Sequence, residues 1–118
     1  MEIDEAIMAF SQSEKIKAGL ISISQVLEVL KGLAEGEKMG GEKIISVLLG
    51  MIDHEIKLSR AVTRHKAWDD VEPYIDKATV MVNSGVGHEA TAHLSKALSK
   101  VTTIGQQSMT ILKEKGLL

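Results

Sequence analysis

The chain has no cysteine, a single proline and only three aromatic residues among its 118 positions. The absence of cysteine excludes disulfides, zinc–thiolate sites and thiol nucleophiles. With so few aromatics, the core has to be built from Ile, Leu, Val, Ala and six Met. This composition favours closely packed helices over a β-sandwich, whose strands draw on aromatic and β-branched residues.

Long apolar runs and an excess of positive charge are also missing. No apolar stretch approaches the ~20 residues of a membrane span. The first residues, "MEIDEAIMAF", are acidic and lack the sustained apolar run of a signal peptide. The net charge of −2 lacks the basic excess typical of nucleic-acid binders. We therefore expect one domain over residues 1–118, soluble and cytoplasmic, that binds neither nucleic acid nor membrane.

Apolar residues recur at three- and four-residue steps in four segments, as is typical of amphipathic helices, and no segment alternates long enough to be a strand. We predict that the first helix is continuous. A break near Ser11 is the alternative, because Ser11 and Glu14 match a capping box. The apolar positions of this first segment are Ile3, Ala6, Ile7, Phe10, Leu20, Ile23, Leu27 and Leu30.

Glycines mark the expected connection between the first two helices. The stretch "AEGEKMGGEK" contains Gly36, Gly40 and Gly41, which supply the backbone freedom that a helix reversal needs. We expect the second helix to run from about Glu42 to His65. Its inward positions are Ile45, Leu48, Ile52, Ile56 and Val62, and the stripe is widened by Leu49, Met51 and Leu58.

The third helix is expected to begin near "WDDVEP", with Asp69 as its N-cap and Pro73 in its first turn, the one part of a helix that tolerates proline. It should end at "NSGVG". The fourth helix has the clearest heptad pattern and should end near Gly116. Short connections force successive helices to be antiparallel, so we predict an all-α, up-down-up-down four-helix bundle of undetermined handedness.

A metal centre is not expected in this bundle. Ferritin-like carboxylate proteins use Glu-x-x-His pairs, and none occurs in the chain. His54 and His93 would lie at different levels, offset by ~10 Å along the bundle axis. We therefore predict surface histidines, no metal and no cofactor. The sequence also lacks a nucleophile elbow and a Gly-rich phosphate loop, so it favours a protein that is not an enzyme.

His54 suggests one signalling hypothesis. The stretch "DHEIKLSR" places this histidine in mid-helix with Lys57 three residues later, and in that respect it resembles histidine phosphotransfer domains. Those domains usually have Gly after the Lys, where this chain has Leu58. The resemblance implies that His54 is a phosphoacceptor. The alternative is a surface histidine among ion pairs such as Asp53–Lys57.

The segment "RAVTRHKAWDD", residues 60–70, joins the second and third helices and is the strongest candidate for a binding site. Cations beside aromatics can bind an anionic or planar ligand, or anchor a protein interface. The simpler interpretation is that the tryptophan plugs the end of the bundle while the arginines offset a helix C-terminus. The candidate binding residues are Arg60, Arg64, His65, Trp68 and Tyr74.

Wide apolar stripes indicate more apolar surface than one small bundle can hide, so we predict a homodimer. Three functional hypotheses follow. The first is a non-enzymatic interaction or scaffold module that acts as a homo-oligomer. The second is a small-molecule or anion binder that uses the Arg60, Arg64 and Trp68 end, and the third is a phosphotransfer-like domain with His54 as phosphoacceptor.

Overall fold

The computed structural model covers all 118 residues and contains four α-helices and no strand. Each helix packs against two others, in the order α1–α2, α2–α3, α3–α4 and α4–α1. This arrangement confirms the predicted all-α four-helix bundle. The helices are α1 (Ile3–Lys31), α2 (Glu35–Thr63), α3 (Glu72–Asn83) and α4 (Ala90–Glu114), with short 3-10 helices at Lys66–Asp70 and Gly87–Glu89.

Helix α1 is continuous, so the structure has no break at Ser11. It begins after Glu2, whose backbone N–H donates to the Glu5 carboxylate at 3.2 Å, and this pair caps the first turn. Buried positions follow a heptad spacing along its whole length, so one face of the helix meets the core throughout. They are Ala6, Ala9, Ser13, Ile16, Leu20, Ile23, Leu27 and Leu30.

Helix α2 begins earlier than the sequence suggested. The connection is only Gly32–Ala34, and Gly36, Gly40 and Gly41 all lie inside the helix. Glu37 accepts a hydrogen bond from the backbone N–H of Ala34 at 3.3 Å, which stabilises this early start. Gly41 has a packing role, because a Cβ there would lie 2.8 Å from Leu30 Cδ1.

The expectation that Asp69 caps α3 was also wrong. Residue 69 lies in the 3-10 helix, Val71 occupies the N-cap position, and Pro73 lies in the first turn as expected. Asp69 instead forms a salt bridge with Arg60 of α2. Its carboxylate therefore ties the two helices together at their corner and does not cap α3.

Trp68 closes the bundle where α3 is too short to do so. Helix α3 has 12 residues, against 29 in α1 and 25 in α4, and therefore covers only part of its neighbours. The Trp68 side chain is fully buried, and its Nε1 donates to Thr63 Oγ1 at 3.1 Å. This contact fixes the chain between α2 and α3, which carries the candidate binding residues.

Candidate functional site

The corner after α2 is shaped by the backbone of Arg64. This residue is the only non-glycine with a positive φ, 54°, and its N–H donates to the Arg60 carbonyl at 3.0 Å. The left-handed turn brings residues 65 and 66 back beside the last turns of α2. A surface concavity of about 370 Å³ results, which we call the cationic corner; it is lined by Lys57, Arg60, Ala61, Arg64, His65 and Lys66.

The cations of this corner differ in how they are paired. Lys57 Nζ lies 2.7 Å from Asp53 Oδ2, and the hydrogen bond and the charge of Asp53 raise the pKa of Lys57. Arg60 is paired with Asp69, and His65 Nε2 lies 3.3 Å from Gln107 Oε1.

Arg64 and Lys66 have no salt bridge and no side-chain hydrogen bond. Their charges are therefore free to meet a ligand.

The two aromatic candidates lie outside the corner. Trp68 is buried beneath the cationic corner, and its ring nitrogen, the only polar atom of the side chain, is hydrogen-bonded to Thr63. Tyr74 is half-buried, and the Nζ atoms of Lys77 and Lys96 lie 5.4 and 5.9 Å from its ring centroid. Of the five residues that the sequence singled out, the structure brings Arg60, Arg64 and His65 together and places the two rings elsewhere.

A second concavity, of about 420 Å³, lies at the opposite end of the bundle, where α1 meets α2. Its charged lining residues have both signs: Lys31 and Lys38 face Glu35 and Glu42. Lys38 is paired with Glu35 at 3.3 Å. This mixed lining has no excess charge of one sign with which to select an ionic ligand.

His54 is exposed on α2, between Asp53 and Glu55. Asp53 is engaged by Lys57, and no group of three or more potential metal-ligating side chains converges anywhere in the structure. The two flanking carboxylates oppose a phosphoryl group on this ring through like charge. Phosphoacceptance by His54 stays a prediction.

Glu55 forms a polar contact between α1 and α2. Its two carboxylate oxygens accept hydrogen bonds from Gln12 Nε2 at 3.1 Å and Lys15 Nζ at 3.0 Å. These bonds, that of Gln12 first, lower the pKa of Glu55. The group is therefore an ionised link between helices and does not resemble a carboxylic acid with the raised pKa of a proton donor.

An apolar row on the outside of α2 is the feature that the sequence reasoning underrated. Ile44, Val47, Met51 and Leu58 point away from the core, and the first three are 65, 66 and 60% exposed. The expectation that Met51 and Leu58 widen the inward stripe of α2 was therefore wrong. Their spacing of three, four and seven residues was visible in the sequence. It was hidden by a second, parallel stripe one residue further on, Ile45, Ile52 and Ser59, which faces inward.

Helix α1 extends this surface. Gln12 and Gly19 both contact α2, through Ser59 and Ile52. Val26 follows Gly19 by seven residues, and so lies on the same side of α1. Val29, which is 64% exposed, continues this side along the next turn. We call the combined surface of Val26, Val29, Ile44, Val47, Met51 and Leu58 the outer apolar face.

No helix of the structure is apolar over enough length to cross a membrane. Comparison of the chain with protein-family models, with curated proteins and with solved structures finds no match.

Proposed function

We propose that this chain is a non-enzymatic interaction module of the cytoplasm that self-associates, as a homodimer, through the outer apolar face. The exposed apolar row on α2 is the observation that carries the proposal. Single exposed apolar residues are ordinary on protein surfaces, but a contiguous row along one helix, flanked by valines of a second helix, is typical of an interface.

The total surface is large enough to contribute to an interface. A folded monomer of 12.8 kDa is expected to expose about 6,300 Å², whereas this chain exposes 6799 Å². The excess of about 500 Å² fits the long, narrow shape of the bundle, 54 × 21 × 18 Å. A standard interface removes about 800 Å² per partner, about an eighth of this surface.

A second copy of the chain is the occupant that this face fits best. Residues 44–52, which carry three of the six residues of the face, contain no charged side chain, so this part of the face offers nothing that selects a charged partner. Self-association about a two-fold axis requires only that the same apolar patch meet itself. Val, Ile and Leu supply fixed shape, and Met51 lies at the middle of the row, where its flexible thioether can adapt to its own symmetry mate.

A pair of matched variants tests this proposal. Val47→Glu places a charge in the middle of the outer apolar face, whereas Val80→Glu places the same charge on α3, where Val80 is 61% exposed and lies outside that face. Light scattering after size exclusion should report a dimer for the unmodified chain and for Val80→Glu, and a monomer for Val47→Glu. Equal effects of the two substitutions would contradict the proposed interface.

A further inference from the structure

The cationic corner carries an inference that is independent of self-association. The segment 57–66 contains Lys57, Arg60, Arg64, His65 and Lys66 and no acidic residue, although the whole chain has a net charge of −2. Asp53 and Asp69 pair with Lys57 and Arg60, and the carboxylates of Glu72 and Asp76 on α3 also act on Lys57 through their charge. Arg64 and Lys66 are the two cations of the concavity that no carboxylate pairs with.

Part of this charge has a structural role. The C-terminus of α2 carries roughly half a negative charge from its unpaired carbonyls, and cations in the last turn offset it. Arg60 lies in that turn, but its charge is already matched by Asp69. Arg64 and Lys66 exceed what the helix end needs, because a half charge is smaller than the two units that they add.

The backbone supports the same conclusion. Residue 64 has φ 54° and ψ 22°, the left-handed conformation in which helices usually end on glycine. Arginine is strained there, and strained residues cluster at sites where the side chain has a use. Arg64 has no salt-bridge or hydrogen-bond partner within the chain for its side chain, so that use lies outside it.

The lining limits the chemistry of the ligand. Ala61 is the only apolar residue in the concavity, and neither aromatic ring reaches it. A ligand would therefore be held by charge and by N–H donors, with no platform on which a planar ring could stack. Guanidinium and ammonium groups approach the concavity from the end of α2, from residue 64 and from the start of the 3-10 helix. Such an arrangement of donors suits a tetrahedral oxyanion with several oxygens.

We infer that the cationic corner binds a small multivalent phosphate, such as a diphosphate or a phosphorylated metabolite, through Arg64, Lys66 and His65. The corner lies on the α3 side of α2, as the Arg60–Asp69 pair shows, and the outer apolar face lies toward α1. None of the residues that line the corner belongs to the outer apolar face, so a ligand at the corner leaves that face uncovered.

Isothermal titration calorimetry with sodium pyrophosphate, on the full chain at low ionic strength, tests the inference. Arg64→Gly removes the guanidinium at a backbone position that glycine prefers, so it should fold and should weaken binding by about tenfold. Lys66→Ala should have a similar effect. Lys100→Ala removes the same charge from an exposed site on α4 and should change the affinity by less than about twofold.

Three results would overturn the inference. If pyrophosphate does not bind, the proposed phosphate site does not exist. Equal weakening by Lys100→Ala and Arg64→Gly would reduce it to general charge attraction. Citrate that binds as tightly as pyrophosphate would show a site without preference for phosphate. None of these results depends on whether the chain is a dimer, because light scattering reports that separately.

Discussion

At the scale of single residues, Arg64 and Trp68 define the corner in different ways. Trp68 is fixed by burial and by one hydrogen bond to Thr63, and it determines where the chain leaves α2. Arg64 is fixed by its backbone alone, since its side chain makes no salt bridge or hydrogen bond that would compensate its left-handed conformation. The contribution of a buried aromatic to stability explains Trp68 at this corner. Stability does not explain Arg64, which is strained and has no side-chain partner.

Replacing Arg64 with glycine should therefore raise the free energy of unfolding, by about 0.5–1 kcal/mol, because glycine adopts a positive φ without strain. Urea denaturation at fixed protein concentration measures the change. Ala61→Gly, three residues earlier in the last turn of α2, is the matched control and should lower the free energy of unfolding by about 1 kcal/mol. A loss of stability in Arg64→Gly would mean that the arginine makes a structural contact at this corner.

At the scale of the elements, the sequence predicted the helices but not all of their ends. Heptad spacing identified the buried face of α1 from Leu20 to Leu30, whereas Ile3 and Ile7, which were read as part of the same stripe, are exposed. Glycines were misleading for α2: Gly36, Gly40 and Gly41 suggested a loop, yet capping by Glu37 and packing at Gly41 outweigh their low helix propensity. The side of α2 that lacks a partner could not be read from sequence, since two apolar stripes run along it.

The interior glycines give a prediction whose sign depends on packing. A Cβ added at Gly50 would have no neighbouring atom within 4 Å, whereas a Cβ added at Gly105 would lie 2.8 Å from Ser13 Oγ of α1. Gly50→Ala should therefore raise the free energy of unfolding by about 1 kcal/mol through helix propensity. Gly105→Ala should lower it by about 1–2 kcal/mol, because the Ser13 hydroxyl would have to leave its hydrogen bond to the Phe10 carbonyl or α1 and α4 would have to move apart. Thermal unfolding of the two variants checks both signs, and a gain in Gly105→Ala would refute the close packing of α1 on α4.

The polar contact that Glu55 makes between α1 and α2 predicts that the stability of the fold depends on pH. The pKa of Glu55 is lowered in the folded chain, so its carboxylate stabilises the fold at neutral pH. This contribution is fully present above the ordinary value of 4.5 and is lost as the pH falls through the lower, folded value.

The stability difference between the unmodified chain and Glu55→Gln should therefore shrink as the pH falls below 4.5. Chemical denaturation at a series of pH values measures it. Glu28→Gln, at an exposed position of α1 without a salt bridge, is the control and should show a much smaller effect. A difference that grew in acid would contradict the role of Gln12 and Lys15 in holding the ionised carboxylate.

At the scale of the whole molecule, the two proposed surfaces differ in how far the sequence revealed them. Arg60, Arg64 and His65 were identified because charge is local in sequence, and the structure brings them together. The full burial of Trp68 fits the simpler interpretation, in which the tryptophan plugs the end of the bundle, and not a role in binding. The position of Tyr74 depends on packing between helices, which the sequence does not show. The outer apolar face emerged only when the inward stripe of α2 was known.

The self-association of the chain is the central claim, and native mass spectrometry of the unmodified protein tests it most directly. We predict a dominant species at twice the chain mass of 12.8 kDa, which dissociates on dilution as a concentration-dependent equilibrium requires. A spectrum that contains only the single chain, at every concentration at which the protein stays folded, would contradict the account.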